Sequence, residues 1–361
     1  MDIIDIDKNF KLPKLTEEDI QWRNALETPF SLHGIFYDYE REEYRRMPYD
    51  LSAKVSSGVQ GLSAATAGGR LRFVTNSPFI ALKCVIPAGY VMPHMPCVGS
   101  HGFGIYANGV YFGNIALYVE EALAARGGTM AFAGIRQFPF YYGKQAEEYE
   151  IELCFPLYNG VNTLYVGVKN GCYVKQPKPY KMQKPIVFYG SSITQGGCAS
   201  HPGNEYTALV SRWLNAEYIN LGFSGGAKGE QAMSDYIADI DASVFVIDYD
   251  HNAQSVEYLQ ETHYSIYKTI RKKQAKTPIL FLSRPGFEYC AAGAERRAVI
   301  KATYNYAIIN GDKNVAYIDG ETLFGEDGRD CCTVDNVHPT DLGFYRMAKT
   351  VFPVLKKLLE G

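Results

Sequence analysis

From residue 186 to the end of the chain, short apolar runs alternate with longer amphipathic stretches. No other feature constrains the fold as much. Ile186-Val187-Phe188-Tyr189 reads as a buried strand, and Asn204 to Asn215 as an amphipathic helix. The rhythm then repeats: strand over Glu217 to Leu221, helix over Glu230 to Ile237, strand over Val244 to Asp248, helix over Ser255 to Lys273. Pro278 to Leu282 is strand, Ala294 to Asn310 helix, Val315 to Ile318 strand and Thr340 to Leu359 helix. Strands joined through helices must run parallel, so the expected fold here is α/β, a five-stranded doubly wound parallel sheet.

The first half has a different texture. Arg70-Leu71-Arg72-Phe73-Val74-Thr75 alternates polar and apolar residues, and Phe79 to Ile86 does so less cleanly. Tyr149 to Leu153 and Thr163 to Val168 follow, with turn signals at Asn76-Ser77-Pro78, Ala107-Asn108-Gly109 and Tyr158-Asn159-Gly160. The expectation is an antiparallel β-sandwich, jelly-roll-like, with an N-terminal arm over residues 1–30 and a helical turn or two over 120–125. Residues 169–185 mix five lysines with Pro177, Pro179 and Pro185 and read as a linker. The expected domains are therefore 1–180 and 184–361.

Composition narrows the function classes. With 361 residues and 47% apolar content, each half has enough material for a core. A net charge of −3 gives no electrostatic case for nucleic acid or an anionic membrane as partner, and no apolar run is long enough to span a bilayer. The eight cysteines include no C-x-x-C and no zinc spacing, so neither a metal nor another cofactor is expected. Reduced thiols and an acidic start without an apolar signal region suggest a cytoplasmic protein, with a secreted mature chain left open. The 28 tyrosines fit either strand packing or stacking on sugar rings.

The chemistry-bearing motifs all follow strands, at the carboxyl edge where such sheets bind ligands. Tyr189-Gly190-Ser191-Ser192-Ile193-Thr194-Gln195-Gly196 puts hydroxyls and backbone N–H groups after the first strand, where an ordinary serine N-cap is the plain alternative. Asp335-Asn336-Val337-His338-Pro339 puts a carboxylate three residues before an imidazole, an arrangement that can fix the ring and aim its Nε2 at a serine. Asn220 to Gly226 follows the second strand, and its glycines let N–H groups approach an oxyanion. It also matches G-x-S-x-G, which would make Ser224 the nucleophile. Asp248-Tyr249-Asp250-His251-Asn252 follows the third strand; Asn252 can donate to an oxyanion, and His251 is a rival base if Asp248 or Asp250 orients it.

These four blocks, in this order, resemble the SGNH (GDSL-like) hydrolase superfamily over about residues 184–359. The resemblance implies a flavodoxin-like sheet, Ser192 as nucleophile, His338 as base and Asp335 as its orienter. It also implies oxyanion donors at Ser192, Gly225 and Asn252. Two positions depart from the pattern: Ser191 stands where the family has Asp, and Ala253 follows the block's Asn. Phe155 to Val161 and Gly102 to Tyr106 are similar to segments of the β-sandwich of two-domain bacterial members, among them family 2 carbohydrate esterases. The implied function is a serine esterase acting on short acyl esters, acetyl above all, of a glycan or other small molecule. The other readings are a non-catalytic carbohydrate-binding protein and a lipase for longer acyl chains. The sequence leaves the oligomeric state open.

Overall fold

The computed structural model describes residues 6–7, 15, 17–87, 91–116, 128–138 and 147–360. The helical turn expected over 120–125, the start of the chain through Asp5, and residues 139–142 of the aromatic run beginning at Phe138 lie outside the described residues. The chain divides into two compact units: Met1–Arg45 with Ala64–Lys178, and Arg46–Ser63 with Pro179–Gly361.

The first unit is built from antiparallel strands. They are β1 (Ile20–Asn24), β2 (Ser31–His33), β3 (Phe36–Asp38), β4 (Glu43–Arg45), β5 (Arg70–Thr75) and β6 (Phe79–Pro87). After these come β7 (Phe103–Ala107), β8 (Val110–Ile115), β9 (Thr129–Gln137), β10 (Tyr149–Cys154), β11 (Thr163–Lys169) and β12 (Val174–Lys175). One sheet has the order β1-β11-β6-β9, the other β12-β5-β10-β7-β8 with β2 also on β5, and β3 and β4 pair as a hairpin. Alternate residues of both sheets meet in one core. Leu71, Phe73, Ile105, Ile151 and Leu153 come from one sheet, and Ile80, Leu82, Leu164 and Val166 from the other.

The second unit holds the parallel sheet. Its strands are β13 (Met182–Gly190), β14 (Ala216–Gly222), β15 (Val244–Asp248), β16 (Ile279–Leu282) and β17 (Val315–Ile318), in the order β14-β13-β15-β16-β17, and every pair is parallel. The chain moves outward from β13 to β14 and then crosses to β15 on the other side. The topological switch point therefore lies between the carboxyl ends of β13 and β15, where this kind of sheet gathers its ligands.

The helices of this unit include α1 (Tyr49–Val55) and α2 (Ser57–Leu62), both from the first half of the sequence. The expected split near residue 180 did not anticipate them. Met47 and Val59 are wholly buried in the same core as Val187, Tyr189, Leu221 and Phe223, which is why 46–63 belongs with the α/β unit. The Lys/Pro-rich stretch read as a linker is partly strand: β12 pairs with the edge of β5, and Met182 pairs with Ala216. None of the helices in the described residues is long and apolar enough to cross a membrane.

Candidate active site

The first block sits on a tight strand-to-helix junction. β13 ends at Gly190, where a Cβ would run into the Thr194 hydroxyl and the Asp248 carbonyl, so only glycine lets the two elements close. A short helix follows, α3 (Ser192–Gln195), capped by Ser191, whose Oγ accepts from Ile193 N at 3.2 Å. Ser191 is thus fully buried and committed to the cap. Ser192, the next residue, places its Oγ 2.9 Å from His338 Nε2. The serine doublet is divided between two jobs, one holding the turn and the other facing the imidazole.

The His338 loop is fixed by its own carboxylate. Asp335 Oδ1 accepts from His338 N at 2.7 Å and from Val337 N at 3.1 Å, while Oδ2 lies 2.7 Å from His338 Nδ1. Asn336 takes the left-handed conformation at φ 66°, which asparagine tolerates and which lets the loop double back. Val334 N donates to His338 O at 3.0 Å and closes the turn. Burial raises the Asp335 carboxyl, but hydrogen bonds from the His338 backbone and ring outweigh it and hold the group below the usual carboxylate range. An ionised Asp335 is suited to keep a proton on Nδ1 and leave Nε2 as acceptor for the Ser192 proton.

Two further loops are tied to the Ser192 turn. Asn220 Nδ2 donates to Thr194 O at 2.7 Å, and Ser224 N donates to Gln195 Oε1 at 3.0 Å. Gly225 adopts φ 66°, is exposed, and has nothing within 4 Å of a notional Cβ. Asn252 lies in a 3₁₀ turn after β15 and donates from Nδ2 to Phe223 O at 3.0 Å, which leaves its second amide hydrogen for another acceptor. The structure therefore links the three loops that carry Ser192, Gly225 and Asn252.

The two rival assignments do not come together. Among the described residues, Ser224 Oγ makes no hydrogen bond to a histidine or carboxylate, so the G-x-S-x-G reading has no base. His251 has a buried Nε2 without a hydrogen-bond partner, and neither Asp248 nor Asp250 bonds its ring. Asp248 instead accepts from Tyr206 OH at 2.9 Å and Thr194 Oγ1 at 3.1 Å, and Asp250 accepts from Arg284 N at 3.0 Å. Burial, with Arg284 next, holds the His251 imidazole well below the ordinary histidine range and so neutral. Thr194, Gln195, Asn220 and Tyr206 were not singled out as site residues in the sequence, and Asp248 was considered only as an orienter of His251. All but Tyr206 lay inside the motifs, but only the folded chain shows their partners.

Comparison with known proteins gives two successive matches along the chain. Residues 183–356 match a GDSL-like lipase/acylhydrolase family model, and residues 20–174 match the model of the N-terminus of SGNH-hydrolase-type esterases. A structure described as that of a GDSL-like lipase from Bacteroides ovatus ATCC 8483 is 29% identical, with a TM-score of 0.80 over 94% of this chain and 98% of that one. A salicylyl-acyltransferase from a tetracycline biosynthetic pathway shares the fold at 18% identity and TM-score 0.73, over 95% of this chain and 98% of that one. An acetyl xylan esterase from the rumen bacterium Butyrivibrio proteoclasticus does so at 13% identity and TM-score 0.58, over 94% and 99%. No curated protein sequence matches the chain.

Proposed function

We propose that this chain, a two-domain member of the SGNH (GDSL-like) hydrolase superfamily and an ester hydrolase, is a serine esterase that removes short acyl groups, acetyl above all, from a carbohydrate. The observation that carries the mechanism is the run of contacts from Ser192 Oγ to His338 Nε2 at 2.9 Å and from His338 Nδ1 to Asp335 Oδ2 at 2.7 Å. His338 takes the Ser192 proton as Oγ attacks the acyl carbonyl. The tetrahedral oxyanion is held by the Ser192 and Gly225 N–H groups and the Asn252 amide. Collapse leaves the acyl group on Ser192, and His338 passes the proton to the departing sugar oxygen, which leaves as the hydroxyl. Water, deprotonated by His338, then attacks the acyl-serine; the acid leaves as His338 returns that proton to Ser192 Oγ.

Support for the substrate class comes from resemblance: the Butyrivibrio protein of the same two-unit fold is an acetyl xylan esterase. The deciding experiment measures p-nitrophenyl acetate hydrolysis and acetate release from a panel of acetylated glycans by wild type, Ser192→Ala, Ser191→Ala and Ser224→Ala. Ser192→Ala is expected to lose activity by orders of magnitude. Ser191→Ala should keep measurable turnover, reduced by its lost helix cap, and Ser224→Ala should keep most. A dead Ser224→Ala beside an active Ser192→Ala would overturn the assignment. A wild type silent on every ester would leave a carbohydrate-binding protein, and a preference for long acyl chains would leave a lipase.

A further inference from the structure

Arg46 belongs, in sequence, to the stretch just after β4, yet its side chain is built into the end of β14. Only 2% of the residue is exposed. Its Nη1 donates to Gly222 O at 2.5 Å and Asn220 O at 3.2 Å, and its Nη2 donates to Leu62 O at 2.7 Å. The guanidinium also lies over the Phe223 ring, 4.6 Å from its centroid. Its backbone is anchored too, with Arg46 N donating to Ser63 O at 2.9 Å.

These contacts fall at a particular place. Asn220 and Gly222 are the last carbonyls of β14, and Phe223 begins the loop that carries Gly225. Buried carbonyls at a strand end must find donors. Here one planar cation supplies them to Asn220 and Gly222 at the strand end and to Leu62 at the end of α2, and it stacks on the Phe223 ring, a combination suited to arginine and beyond a lysine ammonium. The loop's other ties are hydrogen bonds between uncharged groups, among them Phe223 N to Gly190 O at 2.9 Å, Asn252 Nδ2 to Phe223 O and Ser224 N to Gln195 Oε1. Arg46 is therefore the one charged side chain among those named here that fixes where this loop leaves the sheet.

We infer that Arg46 is a positioning residue for the oxyanion loop, delivered to the catalytic unit by the first half of the chain. It touches no substrate; it acts by holding Gly222 and Phe223 so that the Gly225 N–H and the Asn252 amide meet the developing oxyanion. The inference rests on the donor roles proposed above for those two residues.

The test uses the full-length chain. Arg46→Ala and Arg46→Lys are compared with wild type for kcat and KM on p-nitrophenyl acetate, with the fraction of competent enzyme counted by titration with a serine-directed phosphonate. Per competent site, kcat should fall about 10-fold or more in Arg46→Ala with KM within roughly twofold, the pattern of weakened oxyanion stabilisation. Arg46→Lys should fold and still lose kcat severalfold. Millimolar guanidinium should restore part of the kcat of Arg46→Ala, and none of that of Arg46→Lys, where the lysine stem fills the site. If Arg46→Ala does not fold, the kcat of Arg46→Lys alone decides. Wild-type kcat per competent site, or a loss confined to KM, overturns the inference. Those outcomes leave a dead Ser192→Ala untouched, so failure here is distinguishable from failure of the serine mechanism.

Discussion

Asn252 holds two tasks with one amide. Its Nδ2 already donates to Phe223 O, so one hydrogen ties the glycine loop and the other is the proposed oxyanion donor. Replacing it with alanine removes both. A single donor aimed at a transition-state oxyanion contributes ~3 kcal/mol. Asn252→Ala is accordingly expected to lower kcat about 10²-fold or more with little change in KM. Steady-state kinetics on an acetylated sugar checks this; a raised KM at constant kcat would make Asn252 a substrate-binding residue instead. At this scale much of the candidate site could be singled out in the sequence. The carboxylate, the imidazole and the amide were each legible because they stand in short motifs beside recognisable strands. For the serine doublet the sequence offered only the family resemblance, which implies Ser192. By residue type alone Ser191 and Ser192 are equal; in the folded chain the cap on Ile193 N and the 2.9 Å approach of His338 distinguish them.

Among the elements, the helix Ser192–Gln195 is the one least able to stand alone. Four residues cannot offset the cost of nucleating a helix, so its position depends on outside partners. One of these is Asp248, 1% exposed, which accepts hydroxyl hydrogens from Thr194 in that helix and from Tyr206 in the next. Burial pushes the Asp248 carboxyl up to about 8, the neighbouring Asp250 adds to the rise, and the Tyr206 and Thr194 hydroxyls pull it back. The folded state then keeps a proton that the unfolded chain releases near the ordinary aspartate value of about 4. Folded protein binds more protons than unfolded between those two values, so this group lowers stability progressively as pH rises from about 4 to about 8 and no further above that. In Asp248→Asn that slope disappears. The melting temperature of the variant relative to wild type is expected to climb from pH 5.5 to pH 8.5; a constant gap would mean Asp248 is ionised in the native state throughout. The elements themselves were largely readable, since five apolar runs separated by amphipathic stretches admit few alternatives. Residues 169–185 were read as linker because lysine and proline also mark protected sheet edges, which is what β12 is on β5.

For the whole molecule, the division into two units is not a division of the sequence in two. Residues 46–63 leave the antiparallel unit, supply α1 and α2 to the parallel one, and return. Nothing in their composition marks this, because Met47 and Val59 are as suited to one core as to the other; only the fold assigns them to the core of Val187, Leu221 and Phe223. The consequence concerns truncation. A chain beginning at residue 184 carries all of the motifs yet lacks Met47, Val59 and the buried guanidinium of Arg46. It opens cavities in the core and leaves the carbonyls of Asn220 and Gly222 without that donor. Losing two buried apolar side chains costs roughly 2–5 kcal/mol each, against a total stability of about 5–15 kcal/mol for a typical domain. The 184–361 fragment is therefore expected to be poorly soluble or nearly inactive. Loss of the antiparallel unit would produce the same result for a different reason, so a second chain separates them: residues 46–63 joined through a flexible glycine/serine linker of about 20 residues to 179–361. If the missing helices are the cause, this chain should regain solubility and a measurable kcat/KM on p-nitrophenyl acetate. A fully active 184–361 fragment would show that residues 46–63 are dispensable to the catalytic unit, and would sink the expectation outright.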